Sequence, residues 1–264
     1  MDRVSRGTEP FVICGKRSVL EALSSQRAYA IRRLLISARL EDELVKRIIG
    51  KAKQRQVVIE DTDLKELEML AGPLMSSQGV ALVLSEPPPE VTLESHIKAA
   101  AGRQSDLILA LDEVADHQNI GAMVRAAVCF GVKLIIAPKD RSAPLVHPAV
   151  WRVSQGACEH VDFATVNNLG QAIRQIKEAN WWVAGADAGA SSVDVTGVKD
   201  LPKKLCLVMG SEDVGLRRLT RELCDFLWRI PHVTPGGLDS LNVSYAAAIL
   251  LWEIGRKPPN KQGG

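Results

Sequence analysis

Leu207-Val208-Met209-Gly210-Ser211-Glu212-Asp213-Val214-Gly215-Leu216 is an apolar strand running into a glycine loop that carries carboxylates. A second apolar run stops at Ile230-Pro231, and Ser240-Leu241-Asn242-Val243-Ser244 then opens an alanine-rich helix. Three turns able to wrap a small polar molecule thus follow closely on one another. The glycine loop lacks the Lys-Ser/Thr ending of a phosphate-binding loop and is not a GxGxxG dinucleotide motif. Each turn also has an ordinary structural reading. Carboxylates at a helix start complement its dipole, and Ser240 and Asn242 suit helix caps.

Working outward, the C-terminal part alternates strand and helix. Residues 107–111, 133–137, 182–186, 205–209 and 226–230 read as strands; 119–130, 169–179, 216–224 and 242–256 read as helices. Such alternation predicts a largely parallel sheet covered on both faces. Upstream, residues 11–84 alternate in the same way, with helices at 15–23, 41–55 and 64–71 and strands at 32–37, 57–60 and 80–84. Glu86-Pro87-Pro88-Pro89-Glu90 is stiff and cannot join a sheet, so it marks a linker. The expected organisation is a disordered arm (1–10), a small α/β domain (11–86), a linker (87–104) with a helix at 93–101, a second α/β domain (105–256) and a polar tail (257–264).

The chain has 264 residues, 46% apolar and 24% charged, which fits an ordinary globular protein with a sizeable core. Its net charge of +2 is too small to demand a nucleic-acid partner. The distribution is more telling: residues 16–55 carry eleven Lys/Arg against four Asp/Glu, whereas residues 105–264 carry seventeen of each. The first excess can meet phosphates or form solvated helix faces. The five cysteines are scattered and the five histidines show no ligand spacing, so neither a metal site nor a disulfide framework is expected. No apolar run reaches membrane-span length and no signal core opens the chain, which predicts a cytoplasmic protein.

One further constellation carries chemistry. Asp116-His117-Gln118-Asn119-Ile120-Gly121-Ala122-Met123-Val124-Arg125 leaves a strand and enters a helix. Asn119 can cap that helix, and Arg125, in its first two turns, can meet a ligand near the helix start. Arg217, Arg218 and Arg221, after the glycine loop, can grip phosphates or face solvent. From the residues alone the chain is an α/β protein with a small-molecule site and RNA-compatible arginines.

In combination the motifs are more specific. Asn119-x-Gly121-Ala122-x-x-Arg125, Met209-Gly210-x-Glu212-x-x-Gly215 and Ser240-Leu241-Asn242-Val243-Ser244 resemble, in order, the three signature motifs of SpoU (TrmH) RNA ribose 2′-O-methyltransferases. Gly15-Lys16-Arg17-Ser18-Val19-Leu20-Glu21-Ala22-Leu23 and Ser77-Gln78-Gly79-Val80-Ala81 resemble the L30e-like RNA-binding domain of that family's rRNA members. The resemblance implies a SPOUT-class α/β domain with a parallel sheet and a deep trefoil knot. It further implies a homodimer, S-adenosylmethionine as cofactor, and RNA as partner, most closely a guanosine of 23S rRNA.

Carried over residue by residue, the cofactor lies against Gly185, Ala186, Met209, Gly210, Ile230, Ser240 and Leu241. Arg125, Asn119, Glu212 and Asn242 match the catalytic positions. The alternatives are the same chemistry on tRNA, or a catalytically silent RNA-binding or ribosome-assembly protein on the same scaffold. The chain departs from the family pattern in three places. It lacks the usual proline before x-Asn119, Ser77 stands where a histidine is common, and the loop holding Pro235-Gly236-Gly237 is long.

Overall fold

The computed structural model describes residues 10–37, 42–72, 76–189, 191–231 and 241–256. The expected arm before Pro10, the Pro235-Gly236-Gly237 loop, Ser240 and the tail beyond Arg256 lie outside the described residues. Two compact units form, one of residues 1–89 with 146–159 and one of residues 90–145 with 160–264.

The first unit is built on a four-stranded sheet of β1 (Phe11–Cys14), β2 (Ile31–Ser37), β3 (Ile59–Thr62) and β4 (Val80–Leu84), in the order β1-β4-β2-β3. β4 runs antiparallel to both its neighbours, while β2 and β3 are parallel. Side-chain alternation gives the sheet two buried faces. Val12, Cys14, Leu35, Ala81 and Val83 pack with Leu67 and Ala71 of α3 (Leu64–Ala71). Helices α1 (Lys16–Ser24) and α2 (Glu43–Gln54) pack on each other and bury Val19, Leu23, Val45 and Ile48. Asp42 and Asp63 cap α2 and α3 by accepting from Val45 N and Glu66 N.

The segment 146–159, expected within the 105–256 stretch, packs in this first unit. It carries α6 (Pro148–Ser154), which the periodicity did not reveal. Specific contacts explain its place. Trp151 meets Phe11 edge-to-face at 5.4 Å, Ser18 Oγ donates to the Trp151 carbonyl at 2.9 Å, and Arg152 Nε donates to the Ser76 carbonyl at 2.9 Å. The buried Glu159 accepts from Trp151 Nε1 (2.9 Å) and from the Tyr29 hydroxyl (2.6 Å).

The second unit is a seven-stranded sheet in the order β7-β6-β5-β10-β8-β11-β9, with every pairing parallel. Its strands are β5 (Asp106–Asp112), β6 (Leu134–Pro138), β7 (Asp162–Val166), β8 (Trp182–Ala186), β9 (Val193–Asp194), β10 (Lys204–Gly210) and β11 (Phe226–Arg229). The unit thus matches the expected parallel α/β architecture, with β7 and the two-residue β9 as additions. One face buries Ile108, Ala110, Leu134, Ile136, Val183, Cys206 and Val208 under α4 (Leu93–Ala100) and α7 (Leu169–Glu178). Toward the other face α9 (Val243–Gly255) packs on β10 and against α5 (His117–Cys129). The short α8 (Arg218–Leu223) packs against α7. Because all strands are parallel, Asp112, Ala186, Gly210 and Arg229 end at one edge, where open α/β sheets place their ligand crevices.

Candidate active site

The loop after β10 turns back on itself through two backbone hydrogen bonds, Ser211 N to Gly215 O (3.2 Å) and Gly215 N to Ser211 O (3.0 Å). The turn requires both glycines. Gly215 has φ +70°, and a Cβ on Gly210 would run into the Gly215 carbonyl and the Leu216 amide. This closure holds Glu212 at the strand edge.

The start of α5 differs from the sequence expectation. Asp116, not Asn119, is the N-cap and accepts from Gln118 N at 2.8 Å. The helix begins earlier than expected, which releases the Asn119 amide from capping. Asn119 Nδ2 instead donates to Glu212 Oε2 at 3.2 Å. Asn242 is the N-cap of α9, as expected, accepting from Ser244 N at 2.9 Å and from Ser244 Oγ at 2.6 Å. Its Nδ2 donates to Glu212 Oε1 (3.1 Å) and Asn119 Oδ1 (3.0 Å). Three side chains from the starts of α5 and α9 and the β10 loop therefore close into one ring. Arg125 does not join it. It is exposed on α5 and has no side-chain partner among the described residues.

Beside the ring lies a cleft of about 380 Å³, within the range of small-ligand sites. Ala186, Met209, Gly210, Ile230 and Leu241, all expected from sequence, line it. Gly185 does not: its Cα faces Leu216, Cys224 and Leu227, and its lack of a side chain serves their packing. Ser240 lies outside the described residues. Trp228, Val243, Ala246 and Leu250 complete an apolar wall, while Glu212, Asp187 and Arg221 supply charge. An apolar cleft of this size with carboxylates on its lining fits an adenine ring attached to a cationic chain. Sequence reasoning named Arg221 only as a phosphate-gripping or solvent-facing residue, and it missed Asp187 and the α9 wall, since neither carries a local motif.

A further pair braces the site from below. Asp112, fully buried at the end of β5 and in register with Gly210, accepts from Arg217 N (3.1 Å) and Arg217 Nε (2.7 Å). The guanidinium also pairs with Glu113 at 3.2 Å, which in turn holds Arg141 at 3.1 Å. The glycine loop is thus tied to β5 at both ends, and β5 leads directly into α5. Among the described residues no cluster of three or more His, Cys, Asp or Glu could hold a metal, and no helix is long and apolar enough to cross a membrane.

Comparison with known proteins places the chain in a family. Residues 106–252 match the SpoU rRNA methylase family, and residues 12–90 match the RNA 2′-O ribose methyltransferase substrate-binding family. A TrmH family tRNA/rRNA methyltransferase assigned in Staphylococcus haemolyticus is 32% identical over 250 residues, covering 94% of this chain and 96% of that protein. Its Staphylococcus epidermidis counterpart is 34% identical over 256 residues, covering 94% and 96%. Among solved structures, the SpoU methyltransferase AviRb from Streptomyces viridochromogenes, in complex with AdoMet, superimposes with a TM-score of 0.74 at 22% identity, covering 94% of this chain and 90% of that one. With its methylase region, its substrate-binding region and near full-length relatives all matched, the chain belongs to the SpoU rRNA methylase family.

Proposed function

We propose that the protein transfers a methyl group from S-adenosylmethionine to a ribose 2′-hydroxyl of RNA, with a guanosine of 23S rRNA as the target. The observation that carries this reading is the ring of Asn119, Glu212 and Asn242 at the edge of an apolar cleft sized for a nucleoside. When bound, the cofactor supplies an electrophilic methyl group on a sulfonium. The chain's own residues must bring a weak nucleophile into line with that carbon and allow its proton to leave. Glu212, oriented by two amide donors, offers remaining lone pairs to the nucleotide, and Asn242 fixes the turn that walls the cleft. A guanidinium offers hydrogen-bond donors and no acceptor, so Arg125 acts as a phosphate-binding and positioning group rather than as a base.

Arg125 stands apart from the ring in a single chain, which supports its acting across a homodimer interface. Tyr245, Ile249 and Trp252, spaced on one side of α9, are exposed large side chains of the kind a second copy would cover. The knot belongs to the same proposal. The match of residues 12–90 to a substrate-binding family supports RNA recognition by the first unit, and the resemblance of Gly15–Leu23 to rRNA members favours rRNA over tRNA.

Two measurements test the reading. Calorimetry with S-adenosylmethionine should show binding, and a protein that takes none is not this enzyme. Ribose-methylation mapping of total RNA from a deletion strain should reveal one missing mark in 23S rRNA; a missing tRNA mark would move the target while keeping the chemistry.

A further inference from the structure

The three arginines after the glycine loop have separate fates. Arg217 is consumed by Asp112 beneath the loop. Arg218 is 90% exposed and faces Glu222 at 3.5 Å along its own helix. Arg221 alone lines the cleft. Its side chain is 46% exposed and its guanidinium pairs at 2.6 Å with Asp187 Oδ1, while the Asp187 side chain is only 5% exposed. Asp187 is itself fixed: its Oδ2 accepts from Gly189 N (3.1 Å) and Ser192 Oγ (2.8 Å), and its backbone N donates to the Trp228 carbonyl at 2.9 Å. A carboxylate held by backbone and hydroxyl donors in this way is fixed in place and serves to aim its arginine.

One nitrogen of Arg221 is spent on Asp187, and its remaining side-chain N–H groups have no partner among the described residues. Arg229 also lines the cleft, but its guanidinium is paired with the half-exposed Asp194, which is not anchored as Asp187 is. An aimed, half-open guanidinium is suited to a planar anion, which it grips through two parallel hydrogen bonds. S-adenosylmethionine carries one anionic group, the carboxylate of its methionine end. We infer that Arg221, positioned by Asp187, binds that carboxylate and so makes the cleft selective for cofactors that retain an intact amino-acid end. The inference rests on the methyltransferase reading above.

Decarboxylated S-adenosylmethionine differs from the cofactor by that carboxylate only, so the pair isolates the contact. Calorimetry on the full chain should show the wild type preferring S-adenosylmethionine. Arg221→Met should weaken S-adenosylmethionine about tenfold or more, as loss of a charged hydrogen-bond pair does, and leave the decarboxylated form as it was. Unchanged binding of the latter also reports that the variant is folded. Equal weakening of both ligands would make Arg221 merely structural and overturn the inference. So would unchanged affinity for both, including the case where only RNA binding falls and the guanidinium faces a phosphate. A wild type that binds neither ligand refutes the methyltransferase reading itself, a result distinguishable from all the others.

Discussion

The two units each present a cleft, and the clefts are opposites. That of the first unit is wide, about 1340 Å³, and lined by charges of both signs: Lys16, Arg17, Lys65 and Arg152 against Asp61, Asp63 and Glu68. That of the second is less than a third as large and is walled by apolar side chains and glycine backbone, with Asp187, Glu212, Asp213, Arg221 and Arg229 as its charged lining. The larger cleft is not where the Asn119–Glu212–Asn242 ring sits. A wide charged trough suits a polyanion held through many weak, exchangeable contacts, whereas a narrow apolar slot suits one small molecule held in one pose. Under the proposed function the first cleft would serve substrate capture and the second methyl transfer, and substitutions in either cleft should affect one function only.

The largest effect is expected at the transfer site. Arg125→Ala or Glu212→Ala should lower methyl transfer to an rRNA transcript about a hundredfold or more, the scale of a lost positioning contact, while calorimetry still detects cofactor on Glu212→Ala. Near-wild-type transfer by Arg125→Ala in a chain that still assembles would remove Arg125 from the mechanism. Next, Gly210→Ala places a Cβ against the Gly215 backbone. It should cost about 1–3 kcal/mol of stability, the scale of overpacking, and abolish cofactor binding; a shift of the unfolding midpoint together with lost calorimetric heat is the signature.

A smaller change follows from loosening the brace. Asp112→Ala leaves the Arg217 guanidinium without its buried acceptor and should cost about 2 kcal/mol in denaturant unfolding. It should also lower methyl transfer more than cofactor affinity, because it frees the loop carrying Glu212. In the other cleft, replacing Lys16 and Arg152 together with Ala should weaken RNA binding and flatten its salt dependence by about two units of slope, with cofactor affinity untouched. A parallel loss of cofactor binding would erase the division between the clefts.

The smallest effect lies far from both sites. Asp106, at the opposite end of β5 from Asp112, is buried, which by itself raises its pKa. Hydrogen bonds from His96 (3.0 Å) and Arg103 (2.7 Å) outweigh burial and hold the carboxyl below its ordinary range. A depressed folded pKa contributes stability that is present above the unfolded value of about 3.9 and lost as pH falls through the folded one. Asp106→Asn should therefore be less stable than the wild type at pH 7 in urea unfolding. The gap should narrow only below about pH 4, with binding in both clefts unchanged.

Much of this was legible from the chain. Residues 64–71, 80–84 and 182–186 form their expected elements with the expected bounds, because apolar periodicity bounded by Pro, Gly or Asp leaves little competition. Asn242 was readable as a cap for the same local reason. Other features were not readable. α6 is seven residues between a His-Pro start and a Gln155-Gly156 stop, too short to show a period, and its packing in the first unit depends on distant partners such as Phe11 and Ser18. At Asn119 two local signals competed, and Asp116 won the cap because its carboxylate reaches Gln118 N directly.

The sequence by itself determined the alternation of elements, the glycine loop and the ordered set of polar motifs, since each depends on neighbours a few residues apart. Only the tertiary structure decided which polar groups meet. Asn119, Glu212 and Asn242 are separated by 93 and 30 residues and become hydrogen-bonded because parallel strands bring their C-terminal ends to one edge. It also separated Arg217, Arg218 and Arg221, identical in the sequence, into a brace, a solvated side chain and a cation facing the cleft. Arg218 meets Glu222 one turn on along its own helix, but the partners of Arg217 and Arg221 depend on where Asp112 and Asp187 sit at the ends of their strands, which no local pattern in the chain encodes.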